Sequence, residues 1–185
     1  MAEIKGTALI DTIKAVRARN GTEGFNNIVK TLNGEARSIF EGRVSPSSWY
    51  PLDAFVDFLE ADIRETANGE REVLIARAEK VIEAHLRGIY KIFVQLGSPA
   101  FVIKRISAIH ATYLKGVNII PELADSNEAV IKYAGFQPRH EIMGYVILGF
   151  FRKALEISGA KQVTVKLSIP ISAGGDYAEV KITWA

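Results

Sequence analysis

The chain has 185 residues, 48% of them hydrophobic and 24% charged, which suits one domain with a substantial core and no need of cross-links. Its 23 Lys and Arg nearly balance 21 Asp and Glu, the signs are interspersed, and no basic run is interleaved with aromatics, so nucleic-acid binding is not expected. Cysteine is absent, which excludes disulfides, thiolate metal sites and cysteine nucleophiles and suits a cytoplasmic setting.

In chain order, the N-terminus carries Glu3 and Asp11 and lacks a continuous apolar stretch, so it does not read as a signal peptide. No apolar run reaches the roughly twenty residues of a transmembrane segment. Leu9, Ile13 and Val16 recur at helical spacing over 7–19, and Asn20-Gly21 is a stop signal. Thr22 caps a second helix with Phe25, Ile28, Val29 and Leu32 on one face, ended by Asn33-Gly34. A short helix around 36–40 leads into a loop over 42–51, where Trp49 and Tyr50 either plug an edge of the core or form a lid or partner contact. Residues 52–67 predict an amphipathic helix with Leu52, Phe55, Val56, Leu59 and Ile63 facing inward, broken by Asn68-Gly69.

The helical pattern resumes at Glu70 and runs into the stretch around which the chain is organised, 76–102. Ile82, Leu86, Ile89, Phe93 and Leu96 form one stripe; Ala78, Ile82, His85, Ile89, Ile92 and Leu96 form a second beside it. An apolar face that wide predicts a central helix touched on several sides. Ser98-Pro99 starts another helix, expected to end near Ile106.

Residues 108–117 and 127–133 then read as strands joined by a polar segment over 121–125, with His110 on the parity that faces solvent. From Arg139 or His140 to Ile157 the pattern is helical, with Met143, Val146, Ile147, Phe150, Ala154 and Ile157 as the stripe. Gly144 and Gly149 leave gaps on that helix where another element could approach closely. The C-terminus alternates strictly: Val163, Val165, Leu167, Ile169 and Ile171, then a turn at Gly174-Gly175, then Ala178, Val180, Ile182 and Trp184. That predicts a hairpin with one buried face. The expected fold is α+β, a single domain over 1–185. N-terminal helices surround a central helix, packed on a small antiparallel sheet of two hairpins with an intervening helix.

Three stretches resemble a known superfamily. The ending GYVILGFFRKALEISGAKQVTVKLSI (144–169), closed by KITW (181–184), is similar to the helix and hairpin that finish 4-vinyl-reductase-type small-molecule-binding domains. The opening KGTALIDTIKAVRARNG (5–21) resembles the start of haem-nitric-oxide/oxygen binding (H-NOX) domains, and HLRGIYKIF (85–93) followed by LGSP (96–99) resembles their proximal helix. The same superfamily includes the TRAPP vesicle-tethering subunits. The resemblance implies that His85 stands where the H-NOX histidine ligates haem, making it a metal ligand only if haem binds. H-NOX domains hold the haem propionates with a Tyr-x-Ser-x-Arg motif. The counterpart here, Tyr113-Leu114-Lys115-Gly116-Val117, keeps the tyrosine and loses serine and arginine, leaving Lys115 and Arg105 as the nearest cations in sequence.

Catalytic patterns are missing. The chain has no G-x-S-x-G elbow and no Ser/His/Asp set; Gly174-Gly175 is a turn with no Lys-Ser after it; and Asp53, Asp57 and Glu60 lie on the polar face of a helix, where solvated charge is the default. The three histidines lack zinc-site spacing. Two readings follow. One is a non-enzymatic sensor or regulatory domain whose apolar pocket is lined by Phe55, Leu59, Ile82, His85, Leu86, Ile89, Phe93 and Tyr113. Its ligand would be a fatty acid or another apolar molecule first and haem second, and it would act through a protein partner or as a homodimer. The other is an adaptor for protein interaction or dimerisation, with these side chains simply filling the core.

Overall fold

The computed structural model describes residues 1–86 and 98–185. The fold is α+β and falls into two compact units, Met1–Val73 with Tyr113–Gly116, and Leu74–Thr112 with Val117–Ala185.

In the first unit, strand β1 (Glu3–Lys5) sits between β2 (Trp49–Pro51) and β3 (Leu114–Lys115), antiparallel to both. Helix α1 (Gly6–Lys30) is two helices merged across Gly21, whose φ of 71° and ψ of 176° break the helical path at the expected stop. Leu9 and Val16 before the break, and Phe25, Ile28 and Val29 after it, are buried. Helix α2 (Gly34–Glu41) buries Ala36 and Phe40. Helix α3 (Leu52–Ala67) occupies the predicted span to the residue, and its cap Asn68 adopts the left-handed conformation that stops it. Phe40 stacks on Phe58 at 4.1 Å between centroids and Phe25 leans on the same ring at 6.0 Å, so three aromatics from three helices form the centre of this core. Full burial of side chains such as Leu52 and Phe58 contributes about 1.5–3 kcal/mol each.

Part of the loop expected over 42–51 is strand. Tyr50 pairs with Ile4, and the Tyr50 hydroxyl accepts the Ser45 N–H at 2.8 Å. The pairing partner lies more than forty residues away in sequence, so local pattern carried no sign of it. Trp49 and Tyr50 are half-buried parts of this sheet, and Trp49 lies beneath the ammonium groups of Lys5 and Lys115 at 4.6 and 4.3 Å.

In the second unit, helix α4 (Val73–Leu86) is followed by α5 (Pro99–Ala111). Strands β4 (Asn118–Asp125), β5 (Glu128–Ala134), β6 (Thr164–Ile169) and β7 (Ala178–Thr183) form an antiparallel sheet of order β4-β5-β7-β6. Helix α6 (Ile142–Ile157) connects its two hairpins, as expected. Ala178, Val180, Ile182 and Trp184 are all buried, as their alternation predicts.

The stretch after Pro99 departs from expectation. Helix α5 does not end near Ile106; it continues to Ala111, so 108–111 is helical and the first long strand is displaced to β4, across the supposed polar connector. Val102, Ile103, Ile106 and His110 are the buried residues, one face of a continuous helix. The Ser98 cap, which accepts the Phe101 N–H, and Pro99 in the first turn start it well, and burial outweighs the strand propensity of Ile109. The hairpin turn is instead Ser126-Asn127, where the Asp125 carboxylate accepts the Ser126 N–H at 2.6 Å. On α6 the buried face holds Ile142, Met143, Ile147, Phe151, Ala154 and Leu155, while Val146, Phe150 and Ile157 are only half-buried.

Candidate ligand site

Helix α4 carries the described part of the expected central helix. Leu74 and Ala78 are buried and Ile82 is half-buried. A Cβ at Gly149 of α6 would run into the Ile75 carbonyl oxygen and stand 2.8 Å from the Ala78 methyl, so only glycine permits this crossing. The Arg152 guanidinium bonds Glu79 at 3.1 Å beside it. At Gly144 an added Cβ would lie 2.7 Å from a Leu167 methyl of β6. Both gaps foreseen on α6 are therefore filled from inside the unit, by the sheet and by α4.

The eight residues proposed to line a pocket divide as follows. Phe55 and Leu59 lie one turn apart on the buried face of α3, each 4% exposed. Ile82 is on α4, and His85 and Leu86 are its last two residues. Ile89 and Phe93 lie outside the described residues, as does the continuation of the central helix. Tyr113 is half-buried before β3, and its carbonyl accepts the Lys5 N–H at 2.8 Å.

The segment compared with the propionate motif can be tested directly. Leu114 is buried and paired with Ile4. Lys115 is exposed and rests on Trp49. Gly116 takes a φ of 73°, and a Cβ there would be 2.8 Å from the Met1 carbonyl oxygen, so no side chain fits. Arg105, the other cation considered, is exposed and stacks over Phe101 at 4.8 Å. Neither a serine nor an arginine is presented, and haem held by such a clamp does not fit these residues. Among the described residues no group of three His, Cys, Asp or Glu could hold a metal ion.

Two features escaped the sequence. The first is a buried polar pair in the second unit. His110, expected to face solvent from a strand, lies on the buried face of α5 with its Nδ1 3.2 Å from the Tyr133 hydroxyl of β5. The Phe150 ring meets the imidazole edge-on at 4.6 Å, and Phe151 lies at 6.0 Å. Burial lowers the His110 pKa to about 3 and pushes that of Tyr133 well up, so both are neutral across the ordinary pH range. The eight-residue spacing from Val102 through Ile106 to His110 was the available signal, hidden by reading 108–117 as strand.

The second is a cleft in the first unit with a volume of about 250 Å³, lined by Ile10, Ile13, Lys14, Arg17 and Phe25 of α1 together with Phe40, Gly42 and Val44. The four that precede Gly21 stand at i, i+3, i+4 and i+7, one face of the helix. The pattern was legible, but Phe40 and Val44 reach it only through the fold.

No protein-family model matches the chain, and no curated protein matches it. Solved structures do. An H-NOX protein from S. oneidensis in the Fe(II)NO ligation state superimposes with a TM-score of 0.76 over 98% of this chain and 99% of its own, at 13% identity. The Fe(II) unliganded H-NOX protein from K. algicida gives 0.74 over 98% and 97%, at 14% identity. An oxygen-binding H-NOX domain related to soluble guanylate cyclases gives 0.71 over 98% and 95%, at 13% identity. The chain thus has an H-NOX-like fold, as the resemblance implied.

Proposed function

We propose that the chain is a non-enzymatic sensor or regulatory domain that binds a small apolar molecule and acts through a protein partner or a second copy of itself. The match of the entire chain to H-NOX domains supports this reading, since those neighbours are described as nitric oxide and oxygen complexes. The ligand is of fatty-acyl or similar apolar character, with Ile82, His85, Leu86, Ile89 and Phe93 among its contacts. Haem comes second because the Tyr113–Gly116 segment lacks the hydroxyl and guanidinium that two propionates call for. The sequence carries no G-x-S-x-G elbow of the kind an esterase or lipase would use. Among the described residues no helix is long and apolar enough to cross a membrane.

Native mass spectrometry of the purified protein, under gentle and then denaturing conditions, tests the proposal. A retained apolar molecule released on denaturation is the expected result. A Soret band that is lost in His85→Ala would replace the fatty-acyl ligand with haem. A protein that carries nothing and takes up neither haem nor fatty acid would overturn the sensor reading in favour of an adaptor with a filled core.

A further inference from the structure

From the cleft on α1 we infer a second ligand site, independent of the sensor reading: one for a small amphipathic anion, an oxyanion head on a short apolar body. Ile10, Ile13 and Val44 are half-buried walls, and Phe25 and Phe40 are a floor braced by Phe58. Lys14 and Arg17 are exposed at the rim. The lining holds two cations and no acid, although the chain as a whole is close to charge balance. The Arg17 guanidinium lies 4.5 Å over the Phe25 ring, which holds it at the cleft, and it has no carboxylate within ion-pair distance among the described residues. Lys14 touches Asp11 only at 3.9 Å, and Glu41 next to the cleft is engaged by Arg37 at 2.7 Å.

An apolar floor beneath Arg17, with Lys14 held only by a long contact to Asp11, matches a ligand with one anionic end. The carboxylate or phosphate would accept from Arg17 and Lys14 while its body displaces water from the Phe and Ile surfaces. The volume lies just under the roughly 300–1,000 Å³ of drug-sized sites, which restricts the body to a single ring or a short chain.

Octanoate and phenyl phosphate, each titrated into the intact protein and followed by amide chemical shifts, provide the test, with octanol as the uncharged control. We expect saturable shifts at Ile13, Arg17, Phe40 and Val44 with at least one of the two anions. Octanol should bind about tenfold or more weakly, and Arg17→Gln and Lys14→Gln should each weaken the anion about tenfold. Arg17→Lys should restore part of the loss. Both positions are exposed, so an unchanged melting temperature confirms that the variants fold. Binding by octanoate alone marks the site as one for carboxylates, and by phenyl phosphate alone as one for phosphates. The inference fails if neither anion saturates by about 10 mM, where a millimolar site would be filled. It fails equally if octanol binds as well as octanoate or if Arg17→Gln changes nothing. None of these results bears on what α4 binds.

Discussion

Each unit holds a polar pair with a buried member, and the two are built on opposite terms. In the first, Arg19 of α1 donates from Nη2 to both carboxylate oxygens of Asp62 on α3, at 2.7 and 2.8 Å. Asp62 is 2% exposed, while the Arg19 side chain keeps 32% of its surface in water. In the second, His110 and Tyr133 meet without charge, walled by Phe150 and Phe151. A full charge is carried where one partner stays hydrated, and the closed interior accepts only neutral groups. The contrast shows how each pair should respond to mutation and to acid.

The largest effect is expected at the neutral pair. His110→Ala leaves a cavity and strips the Tyr133 hydroxyl of its partner, costing about 3–4 kcal/mol in chemical denaturation. Adding Tyr133→Phe to His110→Leu should recover much of that loss, because no polar atom is then orphaned. Asp62→Ala should cost less, about 2–3 kcal/mol, since the partly exposed Arg19 can turn to solvent and is not left buried alone. A loss at Asp62 larger than at His110 would reverse the comparison.

Acid sharpens it. Because the folded pKa of His110 is about 3 and the unfolded value is 6.5, the unfolded chain takes a proton that the folded chain refuses. Its contribution is complete above pH 6.5 and is lost as pH falls toward 3. At about 1.36 kcal/mol per pH unit, the loss between pH 7.5 and 4.5 amounts to about 2–3 kcal/mol. The His110→Leu/Tyr133→Phe protein lacks this term, so its stability should fall less over the same interval, as parallel denaturation series would register. Parallel slopes for the two proteins would refute the buried neutral histidine. The smallest effect belongs to the exposed Arg37–Glu41 pair, where Glu41→Gln should change stability by no more than about 0.5 kcal/mol and serves as the baseline.

How much was legible follows the range of the interactions. Helix α3 was readable to the residue because Leu52, Phe55, Val56, Leu59 and Ile63 repeat on one face and Asn68-Gly69 ends it. The final hairpin was readable because alternation through Trp184 reports burial directly. Residues 108–111 were not, because Ile109, Thr112 and Tyr113 favour a strand locally while the packing of Ile106 and His110 holds the chain helical. Of the residues expected to line a pocket, Phe55 and Leu59 were rightly placed on an inward helix face, while the cleft flanked by Lys14 and Arg17 was overlooked because Phe40, Gly42 and Val44 come to it from beyond α1.

Periodicity, caps and turn residues along the chain specify most of its helices, the closing hairpin and the α+β class, since each depends on neighbours within a few positions. The three-stranded sheet of β1, β2 and β3, the burial of His110 against Tyr133 and the cleft beside Arg17 depend on groups brought together from distant positions. No local pattern encodes them, because their free energy arises only when separate elements pack and exclude water.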